Sequence, residues 1–144
     1  MSVITRDILL VGVRRDEAFD WIGDFSNHRT FLEGAFDCVS EAGEGELVLC
    51  FKAGFRCREM GYRFEGADDG HGGRRVKFLT TGKRTQGKIS YSLRTMRPSS
   101  NTLVTVHMDY DPGGIVGMAL NSGIRQSLGD GFGQALINLK DRIS

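Results

Sequence analysis

Cysteine is scarce: Cys38, Cys50 and Cys57 are the only three in 144 residues, and they form no C-x-x-C pair. That spacing excludes a dense disulfide scaffold or a zinc ribbon, and the odd number reads as reduced thiols in a cytosolic protein. Long apolar runs are missing too. None approaches the ~18 residues that cross a bilayer, and the first residues lack the basic and apolar regions of a secretion signal. A cytoplasmic chain without an integral membrane segment is expected. An excess of one charge is also absent, and a formal net charge of +1 gives no electrostatic footprint for nucleic acid or an anionic membrane. The chain contains no G-x-S-x-G, P-loop or dinucleotide-binding pattern. His28, His71 and His107 fall at no metal-ligand spacing. No metal and no cofactor are expected, and no catalytic residue is singled out.

What is present is an ordinary globular composition, 40% apolar and 26% charged, in a length that suits one domain over residues 1–144. The stretch that organises it comes last. Pro112-Gly113-Gly114 interrupts the chain, and Leu120, Ile124, Leu128, Phe132, Leu136, Leu139 and Ile143 then recur every three or four residues. That spacing predicts a helix over Gly117 to Ile143, roughly 40 Å long at ~1.5 Å per residue. Its five glycines each cost about 1 kcal/mol relative to alanine, so it needs a large apolar partner.

The rest of the chain supplies one. Ile4 to Val13 reads as a strand covered on both faces over part of its length. A short helix follows, with Asp16 as its N-cap, then a second with Phe31 and Leu32 inward and Gly34 at its end. From Phe36 to Tyr110 the period is two. Arg58, Met60, Tyr62 and Phe64 share one face of a strand, as do Val76 and Phe78, Ile89 and Tyr91, and Val104 to Met108 in alternation. Short turns make neighbouring strands antiparallel, and one apolar face per strand means a sheet covered on one side. The order is strand, two helices, six strands, long helix: an α+β fold.

With these residues the order resembles the START-like, or SRPBCC, superfamily of polyketide cyclases and lipid-transfer domains. The resemblance rests on Glu17-Ala18-Phe19-Asp20-Trp21-Ile22-Gly23-Asp24-Phe25-Ser26-Asn27-His28, similar to the first-helix signature, with Phe31 where members often carry Trp. It rests also on Thr102 to Val106 leading into Asp111-Pro112-Gly113-Gly114 and the terminal helix. The resemblance implies a helix-grip fold, in which a curved seven-stranded antiparallel sheet wraps around the long C-terminal helix and two short helices follow the first strand. It further implies an elongated cavity between sheet and helix that takes an apolar ligand.

Within that frame Phe31, Met60, Phe64, Phe78, Met108 and Met118 are candidate apolar wall. Arg58 could pair with a ligand carboxylate or phosphate, or lie at the sheet margin with its charge in water. Tyr62 and Tyr91 could hydrogen-bond a ligand carbonyl or act as a general acid, or serve as core aromatics. Asn121, with Arg125 four residues on, could form a polar mouth or a solvated flank. The expected function is carriage of an apolar small molecule such as a lipid, quinone or polyketide-like aromatic. A cyclase, aromatase or dehydratase using the same cavity is the alternative, and a monomer or homodimer is expected.

Overall fold

In a computed structural model, residues 2–70, 73–82, 85–97 and 100–143 are described. Seven antiparallel strands form one sheet: β1 (Ser2–Leu10), β2 (Cys38–Gly43), β3 (Glu46–Ala53), β4 (Arg56–Gly70), β5 (Gly73–Thr81), β6 (Gln86–Met96) and β7 (Asn101–Asp111). Their spatial order is β1-β7-β6-β5-β4-β3-β2. Helices α1 (Arg15–Gly23) and α2 (His28–Leu32) follow β1, and α3 (Gly114–Ala119) and α4 (Asn121–Ile143) end the chain. This is the helix-grip arrangement.

The alternation read from sequence sets which side of each strand is buried. Leu47, Leu49 and Phe51 on β3, Met60 and Tyr62 on β4, and Val76 and Phe78 on β5 are each at most 2% exposed. Ile89, Tyr91 and Leu93 on β6 and Val104, Val106, Met108 and Tyr110 on β7 complete the inner face. From the other side Ile124, Leu128, Phe132, Leu136 and Leu139 of α4 close the core. Helix α4 spans the sheet, packing on the edge strand β1 and, at the other side, on β3, the neighbour of edge strand β2. The approach is close. A Cβ on Gly131 would stand 2.6 Å from a ring carbon of Phe36, so a bare backbone lets that ring lie against the helix.

Several sequence expectations need correction. The last helix does not run unbroken from Gly117; it breaks at Leu120 into α3 and α4. Gly113 and Gly114, at φ +91° and +67°, take the left-handed conformation that glycine adopts without strain, and they turn the chain out of β7 into α3. Helix α1 starts one residue before Asp16, its N-cap is Arg14, and no side chain caps it. Strand β1 is covered on one face only, with Leu9 exposed. The turn expected at Asp68 is strand up to Gly70, and His71 lies outside the described residues.

The cysteines need correction as well. Cys38 and Cys50 sit opposite each other in the β2–β3 register and are joined by a disulfide; only Cys57 is free. The reading of three reduced thiols fails because pairing depends on register, which a bulge between Glu41 and Gly43 helps to set. The argument for a cytoplasmic location from reduced thiols falls with it. Among the described residues no helix is long and apolar enough to cross a membrane. The crosslink closes a 12-residue separation, so reduction is expected to cost about 2–3 kcal/mol. Thermal melts with and without reductant check this, and an unchanged midpoint would refute it.

Candidate ligand site

The residues expected to line a cavity divide into two groups. The first is buried. Phe31, Met60, Tyr62, Phe78, Tyr91 and Met108 are all 0% exposed, so no water-sized void touches them. Phe78 is the centre of this packing. It stacks on Tyr62 at 4.2 Å, meets the His28 ring at 4.7 Å, and takes Phe64 and Tyr91 edge-on at 5.6 and 6.0 Å. The elongated hollow expected along the helix is filled here by rings. Sequence alternation reports which side chains point inward. It does not report whether they meet in the middle.

A buried hydrogen-bond chain runs through the rings. His28 Nε2 lies 2.5 Å from the Ile22 carbonyl oxygen, and Nδ1 lies 2.7 Å from the Tyr62 hydroxyl. A carbonyl only accepts, so Nε2 carries the proton and Nδ1 accepts from Tyr62. The Tyr62 oxygen in turn accepts from the Tyr91 hydroxyl at 2.7 Å. Burial holds His28 down to about 4; the Ile22 bond and nearby Asp24 oppose that shift without cancelling it. Burial also raises Tyr62, with Tyr91 adding to the effect, and raises Tyr91. All three groups are therefore neutral at pH 7, and each has a partner. The sequence left His28 without a role. Its buried neighbours on the same helix are the apolar Phe31 and Leu32, and its partner Tyr62 is 34 residues away on β4.

The second group stands at one end of the grip, where the β3–β4 tip faces Gly113 to Leu120. A concavity of about 570 Å³ lies there, lined by Ala53, Phe55, Arg58, Ile115, Val116 and Leu120 among others. Arg58 is neither at the margin nor solvated. It is 6% exposed, and its Nη1 donates to Thr85 Oγ1 at 2.9 Å and to the Pro112 carbonyl at 2.5 Å. A buried guanidinium needs such acceptors, and here they tie β4 to the chain entering α3. On the far side of α3, Asn121 accepts from the Tyr110 hydroxyl at 2.8 Å and donates to Ser2 Oγ at 2.8 Å. Met118 beside it is 71% exposed, and both line a second concavity with Pro112. Phe64 belongs to neither group. It lies six residues along β4 from Arg58, roughly 20 Å away, and is partly exposed.

The rim of this mouth is apolar and open. Phe55, Ile115 and Val116 are exposed at 109, 86 and 66%, and Met118, on the other side of α3, at 71%. Among the described residues no group of three His, Cys, Asp or Glu is placed to hold a metal. His107 lies on the outer face of the sheet, as its position in β7 predicts, with Thr5 and Asp109 beside it.

Solved structures share the fold. A crystal structure of a Thermus thermophilus protein aligns with a TM-score of 0.64 at 10% identity, covering 99% of this chain and 97% of that one. A conserved protein of Geobacillus kaustophilus aligns at 0.62 and 15%, over 99% and 95%. The Zhui aromatase/cyclase of a Streptomyces species aligns at 0.56 and 12%, over 99% and 96%. At such identities the likeness is one of fold. No family model matches the chain. No curated protein matches it at a significant level.

Proposed function

We propose that this protein, a START-like carrier, binds an apolar small molecule at the mouth between the β3–β4 tip and α3. A lipid, a quinone or a polyketide-like aromatic has the right character. The observation that carries the reading is the rim itself: Phe55, Ile115 and Val116 stay in water around a concavity of about 570 Å³. Such exposure of neighbouring large apolar groups marks an interaction site. Of the contacts expected from sequence, Arg58 lines the mouth from within, and Met118 and Asn121 stand across α3 as its proposed outer margin. Phe31, Met60, Tyr62, Phe78, Tyr91 and Met108 lie deeper. A ligand touches them only after core side chains rotate away.

An aromatase/cyclase-type enzyme is the second reading, supported by the fold shared with the Streptomyces protein. It asks for an acid or base free to meet substrate. Tyr62, Tyr91 and Arg58 are each hydrogen-bonded within the fold, which favours carriage over catalysis.

Thermal shift against a panel of lipids and aromatic ketones tests the proposal. A binder at a hundred times its Kd adds about 2.7 kcal/mol of stability. Val116→Asp places a charge on the apolar rim and is expected to weaken that binder at least tenfold. A panel without any shift, or a Val116→Asp protein that binds as well as the original, would sink the reading.

A further inference from the structure

The same rim carries a second property that the total charge conceals. Residues 53–58 and 113–120 build the two sides of the mouth and contain two cations, Arg56 and Arg58, and no carboxylate; Lys52 precedes the first segment and Arg125 follows the second. Lys52, Arg56 and Arg125 are exposed and make no ion pair among the described residues. Carboxylates lie beyond these segments at Glu59, Asp130 and Asp111, and Asp111 Oδ1 already accepts from the Gly113 amide at 2.9 Å. Elsewhere several partly exposed cations are matched: Arg29 with Glu33 and Glu41, Arg74 with Asp16 and Asp69, Arg75 and Lys77 with Asp68. A net charge of +1 is a sum over the whole chain and says nothing of this segregation.

From exposed apolar side chains set among cations we infer that the mouth docks on an anionic lipid surface, with Phe55, Ile115, Val116 and Met118 reaching the acyl boundary. The inference builds on the mouth as the place where an apolar molecule enters. Its shape fits a bilayer better than a second copy of the chain. Phe55 sits at the tip of a hairpin and Ile115 and Val116 on a short helix, so the patch consists of projecting points. Together these side chains offer on the order of 500 Å², below the ~800 Å² per partner of a stable protein interface. A lipid interface sets no such minimum area, because apolar insertion and attraction to anionic headgroups act together. Phe55 and Arg56 are adjacent, which brings both effects to one place.

Co-sedimentation of the full chain with vesicles tests this, using phosphatidylcholine alone and phosphatidylcholine with one third phosphatidylglycerol, at low and high salt. Partition to the anionic vesicles is expected, weakened by salt. Arg56→Gln should weaken it about fivefold, the usual worth of one surface cation. Phe55→Ser with Ile115→Ser should weaken it more than tenfold. Both variants change only exposed side chains, and their melting points are expected to match the original. Failure to partition, while a water-soluble panel ligand still raises the melting point, overturns the docking and leaves the ligand reading standing. Partition untouched by the double substitution also overturns it. So does a dimer in sedimentation velocity that the double substitution dissolves. Patch-dependent partition without any panel ligand binding upholds the docking and removes the ligand reading instead.

Discussion

Replacing Phe78 by alanine is expected to destabilise the protein by about 4 kcal/mol. The side chain, on β5, is fully buried, and five rings lean on it: Tyr62, His28, Phe64, Tyr91 and Phe25. Removing it forfeits its transfer free energy and leaves a void that rigid aromatic neighbours close only in part. Urea unfolding of the variant measures the loss. A cost below about 1.5 kcal/mol would mean that the rings collapse into the gap, against the tight packing described here. The same variant answers a second question. An apolar void between sheet and helix is the space the sequence leads one to expect, and a dry cavity of that kind takes up benzene or xenon. The altered protein should bind such probes while the original does not.

Acid is expected to weaken the fold by a similar amount, through His28. Its folded value near 4 lies below the ordinary 6.5 because burial disfavours the charged ring. The sign follows from which state takes up the proton. Above pH 6.5 both states are neutral and stability is level. Between 6.5 and 4 the unfolded chain binds a proton that the folded chain refuses, so stability falls as pH falls. Below 4 this contribution is flat. The drop amounts to about 3 kcal/mol. Denaturant midpoints across that window measure it, with His28→Gln as the comparison. If the substituted protein shows the same slope between pH 6.5 and 5, where carboxylates contribute little, the assignment to His28 is wrong.

The fold was legible because two periods dominate the sequence. Alternation at Leu47, Leu49 and Phe51, or at Val104, Val106 and Met108, has one physical reading: a sheet with one wet face. Leu120, Ile124 and Leu128 continue one helical stripe, so nothing in their spacing shows the break at Leu120. That break belongs to tertiary structure, where Gly113 and Gly114 set the direction of α3. The site was less legible. Alternation leaves Arg58 either inward or at the sheet margin, and its acceptors on Thr85 and Pro112 are 27 and 54 residues away. The alternation puts Tyr62 and Tyr91 on the inner face of different strands, yet the bond between their hydroxyls and the histidine at its end depend on rotamers and on where α2 docks. The closed interior is likewise a matter of volume, which periodicity does not measure.

The order of the strands has a consequence for how the molecule assembles. Strand β1 is the first to be made and pairs only with β7, Ser2 lying opposite Tyr110 across more than a hundred residues of chain. Glycine-laden α4 has little reason to form before a sheet exists to receive it. The β2–β6 meander, whose contacts are local, is the part able to form early. Closure of both margins then waits on the ends meeting, a high-contact-order step that belongs to the slow, milliseconds-to-seconds class of folding reactions.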